Sequence, residues 1–342
     1  MRFLITALTL IFITACVPND QSREEIILHG KTMGTTYNVK AIKGSSSVTT
    51  QELQQQVDEA LVGVNKAMSN WDKESEISRF NRSTSTEWTP ISRDFSIVMQ
   101  ESLRIHNLTT GYFDVTLAPL IELWGFGTKQ DTPPQPSPRD IRNALDSVGM
   151  STMLEFETDP PALRKVNTDT TVNLSAIAKG FGIDKVASVL ADNGIDEYLV
   201  EIGGDLVTSG NNAKDEAWVV GIEKPDSGAR TVQHVVRVSD KGMATSGDYR
   251  IYKEVDGVRF SHIIDAASGR PVTHKLASVT VIADNAMRSD GLATALLAMG
   301  DKRGMALAER EGIAAFFIVR EGDHFITRSS SAFRKFEQST EK

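Results

Sequence analysis

The stretch AIAKGFGIDKVASVLADNGIDEYLVEIGG, residues 176–204, decides the fold class. Ala176 to Leu190 carries apolar residues at helical spacing, and Gly194 supplies the left-handed stop that ends many helices. Leu199-Val200-Glu201-Ile202 then forms a short strand that ends at Gly203-Gly204. The chain beyond Gly204 is mostly strands: Ala217 to Ile222, Gln233 to Val238, Val258 to Ile264 and Ala277 to Ile282. A helix over Asn285 to Met299 comes next, then a buried strand over Ile313 to Val319 and a last one at Phe325 to Thr327. Several neighbouring strands lack an intervening helix. That predicts α+β, with mixed, largely antiparallel sheets and packed helices, rather than a doubly wound parallel sheet.

The first half is more helical. Leu53, Val57, Leu61, Val64 and Met68 define a helix over Gln51 to Met68, and Thr49 with Glu52 makes a capping box. Phe95, Val98, Met99, Leu103 and Ile105 mark a second helix with Ser92 as its cap. Gly127 to Pro138 holds four of the eleven prolines and reads as a surface loop. Ser137-Pro138 has the form of an N-cap followed by proline at the first helical position. No repeat divides the chain. Residues 26–335 are expected to form one domain, with room for two intimately packed subdomains.

Arg2 precedes the apolar run Phe3 to Ile13, which is shorter than the roughly 20 residues that span a bilayer. Its form is that of a signal-peptide core. Ile13-Thr14-Ala15-Cys16 resembles a bacterial lipobox, and Cys16 is the single cysteine of the chain. Residues 1–15 are therefore expected to be a lipoprotein signal peptide, Cys16 the lipidated residue and 16–25 a tether. The 342 residues are 40% hydrophobic and 24% charged, with a formal net charge of -8. An acidic chain with no basic stripe argues against nucleic acid as a partner.

Familiar nucleotide signatures are missing. There is no Walker loop, and Gly125-Phe126-Gly127 lacks the third glycine of a dinucleotide fingerprint. One cysteine and no His-x-x-x-His pair leave no zinc site of the usual kinds. Ala244-Thr245-Ser246-Gly247 is not a serine-hydrolase elbow. What remains is a series of short polar, glycine-bearing segments. Met33 and Gly34 lie in Thr32-Met33-Gly34-Thr35, where the glycine reads as a bulge. Trp71 lies just past a helix end and suits either ring stacking or packing. Asp114, in Gly111-Tyr112-Phe113-Asp114-Val115-Thr116, lies among apolar neighbours and needs backbone donors, a ligand or a metal as its partner. Asn173 to Gly180 is read as a strand-to-helix junction, with free N–H groups and Lys179 suited to a phosphate and Asp184 one turn beyond. Glu201-Ile202-Gly203-Gly204-Asp205 suits either a tight turn or close approach to a ligand. His262 and Asp265 stand where a strand meets a loop, a position open to a structural or a functional role. Asp290 and Thr294 share one helix face, with oxygens that suit Mg²⁺ or complement the helix dipole.

Taken jointly and in this order, Thr-Met-Gly-Thr, Phe-Asp-Val-Thr with Leu-Trp-Gly-Phe-Gly, Ala-Lys-Gly, Glu-Ile-Gly-Gly-Asp, Thr-Ser-Gly-Asp-Tyr and His-Ile-Ile-Asp resemble the ApbE family of flavin transferases. The resemblance implies an α+β fold related to the T-fold. It also implies transfer of FMN from FAD to a threonine hydroxyl of a target protein, with Mg²⁺, or Mn²⁺ in its place, and release of AMP. By position, Met33, Trp71, Tyr112, Phe113, Asp114, Asn173, Lys179 and Ile264 would line the FAD site. Asp290, Thr294 and the Ala176 carbonyl would hold the metal, and His262 would serve the transfer. Asn173 replaces a common aspartate, and Ala293 replaces a second carboxylate found in some members. The resemblance further implies redox subunits of Na⁺-translocating NADH:quinone reductase or Rnf type as targets. It places the protein in the bacterial envelope, lipid-anchored at the inner membrane and facing the periplasm. An FAD pyrophosphatase and a non-catalytic flavin-binding lipoprotein are the alternatives.

Overall fold

The computed structural model describes residues 23–128, 135–226, 231–249, 251–255 and 257–337. The expected signal peptide, Cys16 and most of the expected tether lie outside these residues, as does the middle of the 127–138 segment. Eight strands form the main sheet: β1 (Glu25–Thr32), β2 (Thr35–Ile42), β3 (Tyr198–Ile202), β4 (Asp205–Ser209), β5 (Lys241–Gly247), β6 (Leu276–Ala283), β7 (Ala314–Glu321) and β8 (His324–Ser329). Their order in the sheet is their order in the chain, and every neighbouring pair is antiparallel. Four long helices are inserted into this meander: α1 (Thr50–Met68) and α2 (Arg93–Leu108), then α3 (Ala178–Asp192), then α4 (Ala286–Glu311).

Local chemistry explains the elements. In β2, Tyr37, Val39 and Ala41 are buried while Thr36, Asn38 and Lys40 face water, the period of a half-covered strand. The capping box at Thr49 and the Ser92 and Ser137 caps all form as the sequence predicts. β7 is apolar on both sides. Ala315, Phe317 and Val319 pack under the helices, while Ala314, Phe316 and Ile318 meet a separate hairpin of Trp218–Glu223 and Val232–Val238. No helix among the described residues is long and apolar enough to cross a membrane.

The structure corrects several expectations. Gly34 is not a bulge: Met33 (φ 48°) and Gly34 (φ 72°) are the two turn residues of the β1–β2 hairpin. The Gly203-Gly204 turn leads directly into β4, a strand not expected from the sequence. No strand runs directly into α3: residues 170–174 belong to no strand, and the preceding one, Pro161–Lys165, ends earlier. The single strand expected over Val258 to Ile264 is two, Val258–Ser261 and Ile264–Asp265, in different small sheets. It breaks because the Ile263 N–H turns back to the Ser261 hydroxyl at 3.2 Å. The helix expected to end at Met299 does break there, since Gly300 is non-helical (φ 78°, ψ 174°), but the chain resumes helix to Glu311.

Candidate active site

The N-termini of α3 and α4 cross in close contact. A Cβ on Gly180 would stand 2.3 Å from the Ala286 carbonyl oxygen, so only glycine permits the approach. Each helix then caps the other. Asp184 of α3 accepts hydrogen bonds from the Ala286 and Met287 N–H groups, both at 2.9 Å. Asp290 of α4 accepts the Gly180 N–H at 2.9 Å through Oδ2. In an unbroken helix that N–H would close on the Ala176 carbonyl. Burial pushes the Asp184 carboxyl up to about 6, against the pull of its two N–H donors. Burial also pushes Asp290 up, opposed by the Lys179 charge and the Gly180 N–H.

Lys179 forms an ion pair with Asp205, the first residue of β4. Asp205 is almost wholly buried and uses its other oxygen to accept the Thr245 N–H of β5 at 3.0 Å. The next residue, Ser246, exchanges a hydrogen bond of 3.0 Å with Thr294. Met33 reaches in from the β1–β2 turn and lies against Gly182. The structure therefore brings Met33, Ala176, Lys179, Asp290 and Thr294 to one end of the sheet.

The donor chemistry here fits a hard divalent cation. Asp290 is a buried carboxylate whose Oδ1 accepts no hydrogen bond from the described residues. The Thr294 hydroxyl lies one turn along the same face. Ala176 sits in the turn just before α3, where its carbonyl has lost its Gly180 partner to Asp290. Three oxygens, with water and phosphate completing the shell, suit Mg²⁺.

A second group lies past the segment that leads into α3. The Asn173 N–H bonds the Val115 carbonyl at 2.7 Å, and its side-chain oxygen accepts the Ser175 N–H at 2.9 Å. Asp114 has the backbone partners its burial demands: Thr116 N–H at 2.7 Å, Met150 N–H at 2.8 Å, and the Thr116 hydroxyl. It also lines a cavity of about 450 Å³ together with His106, Gly149, Ala266 and Ala267. Tyr112 is half-buried and accepts a hydrogen bond from Arg303. Trp71 is 66% exposed, a flat surface free to stack. The Phe113 and Ile264 side chains are core, in different clusters, so any ligand contact they make falls to their backbones.

His262 stands in the break between the two short strands. Its Nδ1 lies 2.9 Å from the Ile251 carbonyl oxygen, and a carbonyl can only accept. Nδ1 therefore carries the proton and Nε2 presents a lone pair. Burial holds the imidazole below its ordinary pKa, against the pull of Ile251 and Asp248, which keeps that lone pair free at neutral pH. Ala266 and Ala267, just beyond on the chain, connect this corner to the Asp114 cavity.

Four residues of this site have roles that the sequence alone does not assign: Asp184, Asp205, Ser246 and Arg303. Asp205 closes the Glu-Ile-Gly-Gly-Asp segment, and Asp184 lies one turn past Gly180, so the positions of both were visible in the sequence. Ser246 lay in the Thr-Ser-Gly-Asp-Tyr segment, whose partner the sequence does not show, and Arg303 had no signal, because its partner is remote in the chain.

The ApbE family model matches residues 33–317. The chain belongs to the ApbE family. It is 40% identical to a Haemophilus influenzae protein named FAD:protein FMN transferase, over the full length of both. A Vibrio cholerae protein of the same name is 41% identical over 98% of each chain. The solved structure of the flavin transferase ApbE from Vibrio cholerae superposes with a TM-score of 0.85, at 42% identity, covering 92% of this chain and 99% of that one. The apo flavinyl transferase ApbE of Pseudomonas stutzeri gives a TM-score of 0.84 at 36% identity, covering 92% and 97%.

Proposed function

We propose that this ApbE-family enzyme transfers the FMN moiety of FAD to a threonine hydroxyl of a target protein and releases AMP. The threonine oxygen attacks the FMN phosphorus, the pyrophosphate P–O bond breaks, and AMP leaves with that oxygen. The observation that carries the reading is the convergence of Asp290, Thr294 and Lys179 at two crossed helix N-termini, in a chain whose full-length relatives bear this activity in their names.

Asp290, Thr294 and the Ala176 carbonyl would hold Mg²⁺, or Mn²⁺, which when bound neutralises charge on the pyrophosphate. Lys179 adds a cation at the same end of the sheet. Trp71 offers its exposed face to the flavin ring, and Met33, Tyr112, Asn173 and the backbone at Phe113, Asp114 and Ile264 line the remainder. His262 Nε2 accepts the proton of the incoming threonine hydroxyl, help that is typically worth about 10² to 10⁴ in rate.

Anchoring through a lipid on Cys16 is supported by the apolar run Phe3 to Ile13 and the small residues before the cysteine. It would hold the enzyme at the inner membrane facing the periplasm, where redox subunits of Na⁺-translocating NADH:quinone reductase or Rnf type are candidate targets. The test is intact mass spectrometry of such a subunit after incubation with enzyme, FAD and Mg²⁺. A gain of one FMN, lost on chelation, is expected. Free FMN and AMP with no mass gain would overturn transfer in favour of hydrolysis, and intact FAD would leave only binding.

A further inference from the structure

Lys179 pairs with one buried carboxylate and neighbours in sequence the residue that bonds another. Asp205, at the start of β4, pairs with it directly. Asp290, on α4, is bonded to the N–H of the next residue, Gly180, and its carboxyl feels the Lys179 charge. The Lys179 side chain retains some solvent exposure (27%), whereas the Asp205 side chain has almost none (3%). Asp205 is also the fixed member of the pair. Its second oxygen is held by the Thr245 N–H, so its orientation is set by the β4–β5 ladder rather than by the lysine. The lysine stem runs beside the turn before it: a Cβ on Gly203 would lie 3.5 Å from the Lys179 Cδ, an ordinary contact.

A flexible ammonium beside an acidic cation site is a competitor for that site. Freed from Asp205, the Lys179 stem has Asp290 as the other buried carboxylate whose field it already shares. An ammonium paired with Asp290 would oppose a divalent cation there by charge and by occupancy.

We propose that Asp205 is a positioning residue that holds the Lys179 ammonium aside and so leaves Asp290 available to a divalent cation. The proposal deepens the reading of Asp290 as a metal-binding carboxylate and rests on it. It also explains why a carboxylate is buried at the head of β4, where an apolar residue would pack at lower desolvation cost.

The test is Mn²⁺ binding to the full-length protein without FAD, followed by electron paramagnetic resonance of free Mn²⁺. The variants are Asp205→Asn, Lys179→Met, their double mutant, Asp205→Glu and Asp290→Ala, each checked for native thermal unfolding. Asp205→Asn is expected to raise the Mn²⁺ dissociation constant at least tenfold, and Asp205→Glu to restore it to within threefold of wild type. In the Lys179→Met background the same Asp205→Asn change should alter the constant less than threefold, because the competitor is gone. This non-additivity separates positioning from a general loss of negative charge, which would cost the same in both backgrounds. Equal cost in both backgrounds, or wild-type affinity in Asp205→Asn, would overturn the proposal while leaving Asp290 as the metal ligand. Unchanged Mn²⁺ binding in Asp290→Ala, or none in wild type, would overturn both readings. Should Asp205→Asn not fold, Asp205→Ser against Lys179→Met/Asp205→Ser carries the same comparison with the carboxylate removed, and a cost independent of Lys179 is again the overturning result.

Discussion

The two halves of the candidate site are built by opposite means. The α3–α4 crossing is buried, and its polar groups bond one another: Asp184 to Ala286 and Met287, Asp290 to Gly180. The His262 corner rests on strands of two to four residues, flanked by Ile251 (57% exposed) and Tyr252 (40%). One half is over-determined by packing, and the other is held by a few local bonds at the surface. The contrast suits the division of labour in the proposed transfer. Phosphate and metal chemistry needs fixed charges, whereas a protein acceptor must enter and leave.

Substitutions can break this contrast, and the largest effect is expected at the exposed corner. His262→Ala should lower the transfer rate by about 10² to 10⁴ with denaturant stability within about 1.5 kcal/mol of wild type, the worth of its one hydrogen bond. A large stability loss would show that the corner is structural. In the native protein, loss of activity on acidification should have its midpoint below 6.5, because burial lowers the imidazole pKa and the neutral form acts as base.

The reverse is expected at the crossing. Gly180→Ala forces a Cβ onto the Ala286 backbone and should cost about 3 kcal/mol in urea unfolding. Retained stability would mean that the helices can part without penalty. Asp184 provides a pH-dependent version of the same test. Its folded pKa is raised, so the native state holds its proton more tightly than the unfolded chain does. Stability from this group is complete below its unfolded value near 3.8 and is lost as pH rises through about 6. Relative to Asp184→Asn, wild type should lose up to about 3 kcal/mol across that window; parallel stability–pH curves would refute the shift. The smallest expected stability effect is at Trp71, where replacement by alanine should change it by less than about 0.5 kcal/mol yet raise the KM for FAD. An unchanged KM would remove Trp71 from the flavin site.

Legibility tracked the range of the interactions. Thr49 with Glu52, Ser92 and Ser137-Pro138 announced their helices because a cap and its target lie within three residues. The β7 run was legible because burial on both faces leaves an unbroken apolar string. The β1–β2 hairpin was missed although Tyr37, Val39 and Ala41 alternate cleanly. Its turn uses Met33 in a left-handed conformation, which methionine rarely adopts. The break at His262 came from one serine hydroxyl competing with the ladder. Lys179–Asp205, Ser246–Thr294 and Gly180–Asp290 join residues 26, 48 and 110 positions apart. No local pattern encodes such pairs. The family resemblance singled out Lys179, Asp290 and Thr294 as candidates, but only the fold revealed what each one touches.

Mutual capping of α3 and α4 has a consequence for how the protein breathes. Unwinding the first turn of α4 would release the Ala286 and Met287 amides and strand Asp184; opening α3 would release Gly180 and strand Asp290. Neither helix start can fray alone without leaving the other's carboxylate buried and unbonded. The three amides should therefore exchange with deuterium as one cooperative unit, with a shared opening free energy and a common response to denaturant, although Gly180 lies more than a hundred residues from the other two in the chain.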